Sequence, residues 1–323
     1  MNSMNPQIWV LVDNRVGGAN QAIELAKKLG KSFETKPIEY NSFARLPNSL
    51  LSLFPIHIKK ATLTALKNDR PPGIIISYGR RIAPLALHLK RKLKGDIKII
   101  QIMRPDIDPK EFEFIILPQH DSFNYVLPNV VRIIGALNNV KDKCLEGQEL
   151  FNSNHPNIGK FIAVVIGGST KRYSLNMANA KSLANTLYMI SENHSLRLLI
   201  SFSRRTPVSI KNYFKNTFKS PNIIYDPGIG KDNPYPAMLS IAEYIVATAD
   251  SISMCSEAAS TGKPLYIFCP ENFKLQKHNF FIQQLVDIGA ARRLEDNADH
   301  LEKYEYTPLS EITRVARIIN ESL

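Results

Sequence analysis

The feature that most restricts this chain is a succession of short, unbroken apolar runs separated by helical patterns. Residues 9–12, 73–77, 97–102, 114–117 and 131–134 form one series, and 161–166, 196–201, 222–225, 244–248 and 265–268 a second. These runs do not alternate apolar with polar residues. A strand that is apolar on both faces needs a cover on each side, the condition inside a parallel sheet flanked by helices. The intervening segments supply such helices. Ala22, Leu25, Ala26 and Leu29 recur at three-and-four spacing, and 175–190 and 209–218 behave similarly. Thr206-Pro207 marks a helix start and Leu29-Gly30 a stop. The prediction is α/β throughout. The strand series restarts near residue 160, after the polar stretch 141–160, which is the expected linker. A length of 323 residues also exceeds what one core usually holds. Two Rossmann-like domains are expected, over 1–150 and 158–307, with a helix inside 308–323 packing back on the first.

Composition narrows the function classes. No apolar run approaches the roughly 18 residues that a membrane-spanning helix needs. The N-terminus lacks a basic leader region and passes directly into a strand, so a cytoplasmic protein is expected. Cys144, Cys255 and Cys269 are too scattered for a disulfide framework or a paired-cysteine zinc site; no metal and no cofactor are expected. The chain carries 41 Lys+Arg against 29 Asp+Glu, a formal charge of +12, of which +8 falls in residues 1–150. Such a balance favours an anionic partner. The absence of a basic tail, a recognition motif or an aromatic-basic platform argues against nucleic acid. A phosphorylated ligand or an anionic membrane surface remains. Residues 46–60, apolar and ending in Lys59-Lys60, suit either a bilayer-docking segment or a buried helix with a solvated end.

Open parallel sheets bind ligands beyond the C-terminal ends of their strands, so the strand-to-helix turns are the places to search. The first, Asp13-Asn14-Arg15-Val16-Gly17-Gly18-Ala19-Asn20-Gln21, is more polar than chain reversal requires, but lacks both the dinucleotide and the P-loop glycine patterns. The second, Ser77-Tyr78-Gly79-Arg80-Arg81, puts two arginines at a helix start, against the macrodipole. Either an anion or an ion pair with Asp106 or Asp108 accounts for them. The third, Gly167-Gly168-Ser169-Thr170-Lys171-Arg172, has the composition of a backbone nest for a diphosphate. The fourth, Ser203-Arg204-Arg205-Thr206-Pro207, repeats the arginine pair. Together these turns favour a phosphorylated ligand. The fifth runs from Asp250 to Glu257, whose carboxylate would either accept ribose hydroxyls or simply stabilise a helix start.

These turns, with Pro118-Gln119-His120-Asp121, Gly135-Ala136-Leu137-Asn138, Asn233-Pro234-Tyr235, Ser253-Met254-Cys255-Ser256-Glu257, Thr261-Gly262-Lys263-Pro264 and Tyr306-Thr307-Pro308-Leu309, resemble the mitochondrial-fission ELM family along nearly the whole chain. The resemblance implies a GT-B-like fold, two Rossmann-like domains facing a cleft, similar to the N-acetylglucosaminyltransferase of peptidoglycan synthesis. It implies a glycosyltransferase that moves sugar from a nucleotide sugar to a cell-envelope acceptor, peripheral to the inner membrane. The alternatives are a nucleotide-sugar epimerase or hydrolase on the same fold and a non-catalytic adaptor. On this pattern Gly167, Gly168 and Ser169 face the diphosphate and Glu257 the ribose. Lys171, Ser203, Arg204, Arg205, Thr206, Ser253 and Ser256 stand around them. The acceptor side takes Arg15, Gly17, Asn20, Gln21, Gly79, Arg80 and Arg81. A glycine-rich GGxGGH loop is absent, so the general base is open among Asp13, His120 and Asp121. Arginines and helix N-termini would stabilise the leaving diphosphate without a metal.

Overall fold

The computed structural model describes residues 7–93, 95–121, 126–169, 173, 175–226 and 234–323. The chain divides into two compact units, Met1–Asn138 with Glu311–Leu323, and Asn139–Ser310. Each is built on a six-stranded parallel sheet.

In the first unit the elements run β1 (Ile8–Val12), α1 (Val16–Lys28), β2 (Phe33–Pro37), α2 (Asn48–Leu51), α3 (Lys60–Asn68), β3 (Ile74–Tyr78), α4 (Gly79–Lys92), β4 (Lys98–Ile102), β5 (Phe114–Pro118) and β6 (Val130–Ile133). The sheet order is β2-β1-β3-β4-β5-β6. Every residue of β3 and β5 is buried, as unbroken apolar runs require. In the second unit follow α5 (Val140–Asn154), β7 (Phe161–Ile166), α6 (Met177–His194), β8 (Arg197–Phe202), α7 (Val208–Thr217), β9 (Ile223–Tyr225), α8 (Tyr235–Ile241), β10 (Tyr244–Thr248), α9 (Ile252–Ala259), β11 (Leu265–Phe268), α10 (Gln276–Asp287) and β12 (Arg292–Leu294). Its order is β12-β11-β10-β7-β8-β9. In the first sheet the winding direction reverses between β1 and β3, and in the second between β7 and β10. Those reversals are the switch points where such sheets open a crevice.

Four segments differ from expectation. Residues 141–160 are not a linker: α5 fills most of them and belongs to the second unit. Its inner face is Val140, Cys144 and Phe151, with Gly147 brought against Ala237 of α8, a helical spacing concealed by exposed Leu145 and Leu150. Strands β2 and β12 sit at sheet edges, so their polar sequences, FETKP and RRL, carry no apolar run to detect. Residues 46–60 are not a buried helix: only the single turn α2 and the start of α3 are helical, and several apolar side chains lie outside.

The final helix, α11 (Glu311–Ser322), returns to the first unit and buries Ile312, Val315, Ala316 and Ile319 in the core that also holds Ala22, Leu25 and Ala26 of α1. Replacing a fully buried isoleucine with alanine costs the transfer energy plus that of the cavity left behind. Ile319→Ala should therefore lower the stability of the first unit by about 2–5 kcal/mol in denaturant unfolding.

Candidate functional site

Each switch point is occupied by a buried carboxylate. At the first, Asp13 follows β1 and its side chain is 1% exposed. Oδ1 accepts from the Arg15 amide at 2.9 Å and the Tyr78 hydroxyl at 2.7 Å; Oδ2 accepts from Arg15 Nε at 2.8 Å and the Tyr40 hydroxyl at 2.9 Å. Burial pushes the Asp13 carboxyl up. The bonds from the Arg15 side chain and amide and from Tyr78 outweigh it and hold the group below the usual carboxylate range. Gly18 lets α1 approach the Tyr78 ring: a Cβ there would lie 2.3 Å from Cδ2. Gly79, at φ +61°, lies under the Arg15 guanidinium. Arg15 itself lies over the Tyr78 ring, 5.4 Å from its centroid.

The expected acceptor-side residues thus divide. Asp13, Arg15, Gly79 and Gln21 are structural ties: Gln21 Oε1 accepts from the Leu137 amide at 3.1 Å and its Nε2 donates to Gly17 O at 3.3 Å. Gly17 and Asn20 are exposed on the first turns of α1. Arg80 and Arg81 do not pair with Asp106 or Asp108, because Asp106 pairs with Arg104 at 2.6 Å and Asp108 accepts from the Lys110 amide. The Arg80 guanidinium donates to the Leu46 carbonyl at 3.4 Å. Arg81 lines an open cavity of about 770 Å³ with Asn14, Tyr40, Asn41, Arg45 and Lys59. Among the described residues neither Arg45 nor Arg81 has an ion-pair partner.

The three candidate bases are not brought together. His120 and Asp121 follow β5, half-buried, on a turn whose carbonyls at Gln119 and Asp121 accept from Arg132. With β3 and β4 lying between β1 and β5, these residues stand roughly 14 Å from Asp13, three strand spacings away. Both Asp13 oxygens are filled by donors, which leaves no lone pair for a substrate proton.

At the second switch point the Gly167-Gly168-Ser169 turn is closed on the protein. The Gly167 amide donates to Thr248 Oγ1 at 2.7 Å, Gly168 to Asp250 Oδ2 at 2.5 Å and Ser169 to the Arg205 carbonyl at 3.2 Å. The expected open nest for a diphosphate is therefore corrected: its amides are already spent, and an internal carboxylate stands where an anion would sit. The Thr206 hydroxyl donates to Ile166 O and Gly167 O, and the Ser203 amide to Ile166 O, so the β7 and β8 turns are laced together. Asp250, which the sequence did not single out as a site residue, is 2% exposed, and among the described residues its Oδ1 has no hydrogen-bond partner. Burial raises its carboxyl, against the Thr248 side chain, the Gly168 amide and the nearby Arg205 charge. Lys171 lies outside the described residues.

One position in the second unit keeps the features of a ligand contact. Glu257, on α9, accepts from the Tyr235 hydroxyl at 2.8 Å through Oε2, and among the described residues Oε1 accepts nothing. Burial raises the Glu257 carboxyl, tempered by the Tyr235 bond and by Lys143 of α5. Tyr235 and Lys143 were not singled out as site residues from the sequence, because their proximity depends on α5 and α8 packing together. Ser256 is buried with its hydroxyl on Ile252 O at 2.7 Å, and Ser253 is exposed. Arg204 and Arg205 are exposed, with no ion pair among the described residues.

These contacts set two outcomes for the β7 turn. A Cβ at Gly167 would lie 2.1 Å from Asp250 Oδ2, so Gly167→Ala should destabilise by roughly 1–3 kcal/mol through overpacking. For Asp250 the raised folded-state pKa means that folding favours the protonated form. Its contribution is full below the unfolded value and is lost as pH rises through the folded one. Asp250→Asn should therefore gain in melting temperature relative to the wild type between pH 4 and pH 8; a constant difference would contradict the assignment.

Comparison with known proteins agrees with this architecture. The family described as mitochondrial fission ELM1 matches residues 16–323. A Rickettsia prowazekii (strain Madrid E) protein, RP120, is 42% identical over 98% of both chains. Mitochondrial fission protein ELM1 of Arabidopsis thaliana is 27% identical over 78% of this chain, which spans 64% of the plant protein. Among solved structures, UDP-GlcNAc 2-epimerase from Methanocaldococcus jannaschii superposes with a TM-score of 0.60 at 14% identity, over 97% of this chain and 99% of that one. The Neisseria meningitidis enzyme bound to UDP-GlcNAc gives 0.55 at 14%, over 97% and 91%. The fold is the GT-B-like arrangement of two Rossmann-like units. The chain belongs to the mitochondrial fission ELM1 family.

Proposed function

We propose that this protein binds a nucleotide sugar in its second unit and transfers the sugar to a cell-envelope acceptor held by the first, at the surface of the inner membrane. The observation that carries the reading is Glu257. A half-buried carboxylate, fixed by Tyr235 and keeping one oxygen open, suits a ribose diol, whose two hydroxyls both donate. Arg204 and Arg205 extend from the β8 turn of the same sheet, and exposed guanidiniums with no ion pair among the described residues suit a diphosphate. Because the Gly167–Ser169 amides are occupied, these side chains rather than backbone would neutralise the leaving group.

In the transfer, the acceptor oxygen bonds to the anomeric carbon as the bond from that carbon to the diphosphate oxygen breaks. The acceptor proton passes to a base and the diphosphate leaves with the bonding pair. With Asp13 fully bonded, that base falls to His120 or Asp121. The likeness to UDP-GlcNAc 2-epimerases shows a shared fold. Epimerisation on this site is the second reading, because it needs the same donor contacts and no acceptor.

Millimolar uridine, guanosine or cytidine diphosphates and their sugars should raise the melting temperature. A ligand at about 100 times its Kd stabilises by about 2.7 kcal/mol. Glu257→Ala should weaken that binding roughly tenfold or more, the loss expected for a charged hydrogen bond. No shift with any of these compounds, or equal binding by the variant, overturns the donor site. Phosphorus NMR then separates the reactions: transfer frees a nucleoside diphosphate, and epimerisation does not.

A further inference from the structure

Residues 41–60 contain three cations, Arg45, Lys59 and Lys60, and no acid. Within them Phe43, Leu50, Leu53, Phe54 and Ile56 are 53, 54, 62, 67 and 49% exposed. Single exposed apolar residues are ordinary on a protein surface, but five within fourteen residues form a patch that needs a partner. The segment is firmly held from beneath. Leu51, His57 and Ile58 are buried, Asn48 Nδ2 donates to the Arg80 and Pro105 carbonyls at 2.6 Å each, and Asn41 Nδ2 to Ile56 O at 2.7 Å. Tyr40 and Ile58 close its base in an isolated antiparallel bridge. The exposed side chains are therefore carried on an anchored platform. The 770 Å³ cavity is lined by this same segment through Asn41, Ser42, Arg45 and Lys59, and by Arg81. Lys59 is matched by Glu39 at 2.7 Å, which leaves Arg45, Lys60 and Arg81 without an ion-pair partner among the described residues.

We infer that residues 41–60 are the surface by which this protein docks on an anionic bilayer. Phe43, Leu50, Leu53, Phe54 and Ile56 enter the headgroup boundary, and Arg45 and Lys60, with Arg81 in the cavity, meet lipid phosphates. The pairing of an apolar ridge with a basic border, in which Glu39 is matched by Lys59, is what a bilayer interface selects, because apolar burial and attraction to anionic lipid act together. A protein partner with an apolar groove would match the ridge and leave the cations unanswered. The inference extends the membrane part of the proposed function. It is separable from the donor site, since nucleotide binding is read in a different assay.

The test is flotation of the full chain with phosphatidylcholine vesicles, with and without about one-third phosphatidylglycerol. Binding is expected on the anionic vesicles at low salt, falling several-fold when ionic strength is raised to roughly 0.5 M. Leu53→Ser with Phe54→Ser should weaken it about tenfold or more while leaving the melting temperature and nucleotide response intact, since both side chains are already in water. Arg45→Glu with Lys60→Glu should abolish the preference for anionic vesicles. Leu145→Ser, which removes an exposed leucine from the second unit, should change nothing. Excess inorganic phosphate should compete weakly, because it occupies cations without engaging the ridge. No binding at low salt, or equal binding by the Leu53/Phe54 variant, overturns the inference. So does a concentration-dependent dimer, seen by sedimentation and lost in that variant, without vesicle binding; this would assign the ridge to a second copy of the chain.

Discussion

A parallel sheet that winds first one way and then the other must part its helices at one strand edge, and the backbone amides bordering that gap need acceptors. In both units a single buried carboxylate serves that gap. Asp13 collects the Arg15 amide, the Arg15 guanidinium and two tyrosine hydroxyls; Asp250 takes the Gly168 amide. The glycines at these turns follow from the same demand, since Gly18 admits the Tyr78 ring and Gly167 admits Asp250 itself. The two carboxyls titrate in opposite directions. Asp13 is over-supplied with donors and is held low, whereas Asp250 is buried with one oxygen unpartnered among the described residues and is pushed up.

This arrangement shapes how an anion can be bound. Where a phosphate-binding sheet would offer free amides, the second unit presents its own carboxylate, so on the proposed reading a diphosphate would be met by the exposed Arg204 and Arg205 side chains and Glu257 would be left for the ribose. The first unit shows the same displacement. Arg15 is consumed by Asp13, and Arg81 and Arg45 are among the cations left over, at the edge of the cavity. Several motifs that characterise the chain prove to be locks rather than contacts. The Tyr306 hydroxyl donates to Lys263 O at 3.0 Å, the Leu309 amide to Ala259 O at 3.1 Å, and Pro308 packs beside Gly262 at φ +83°. They fasten the last loop of the second unit just before α11 departs for the first.

The strands were legible because a doubly covered strand must be apolar along its length; 161–166, 244–248 and 265–268 coincide with β7, β10 and β11. Of the four edge strands, β2 and β12 were not legible, because their exposed, polar sequences follow no such rule. Helix α5 escaped because its inner face is drawn from Val140, Cys144, Gly147 and Phe151, two of them small, while its conspicuous leucines lie outside. The site was legible as a set of turns and not as a set of bonds. Gly167, Gly168 and Glu257 were located, but Asp250 has no local signature, and Tyr235 reaches Glu257 across 22 residues of sequence.

Sequence alone determined the class of fold, two rounds of alternating strand and helix, and the excess of positive charge carried mainly by the first half. Apolar periodicity and composition are local properties, and burial on both faces leaves a mark at every residue of a strand. Only tertiary structure decided which cations are neutralised and which stay available. Arg15 meets Asp13 within its own turn, Arg80 and Arg81 do not meet Asp106 or Asp108, and the ridge at 43–56 stays in solvent. Pairing and exposure depend on distances between segments far apart in the chain, which the order of residues does not contain.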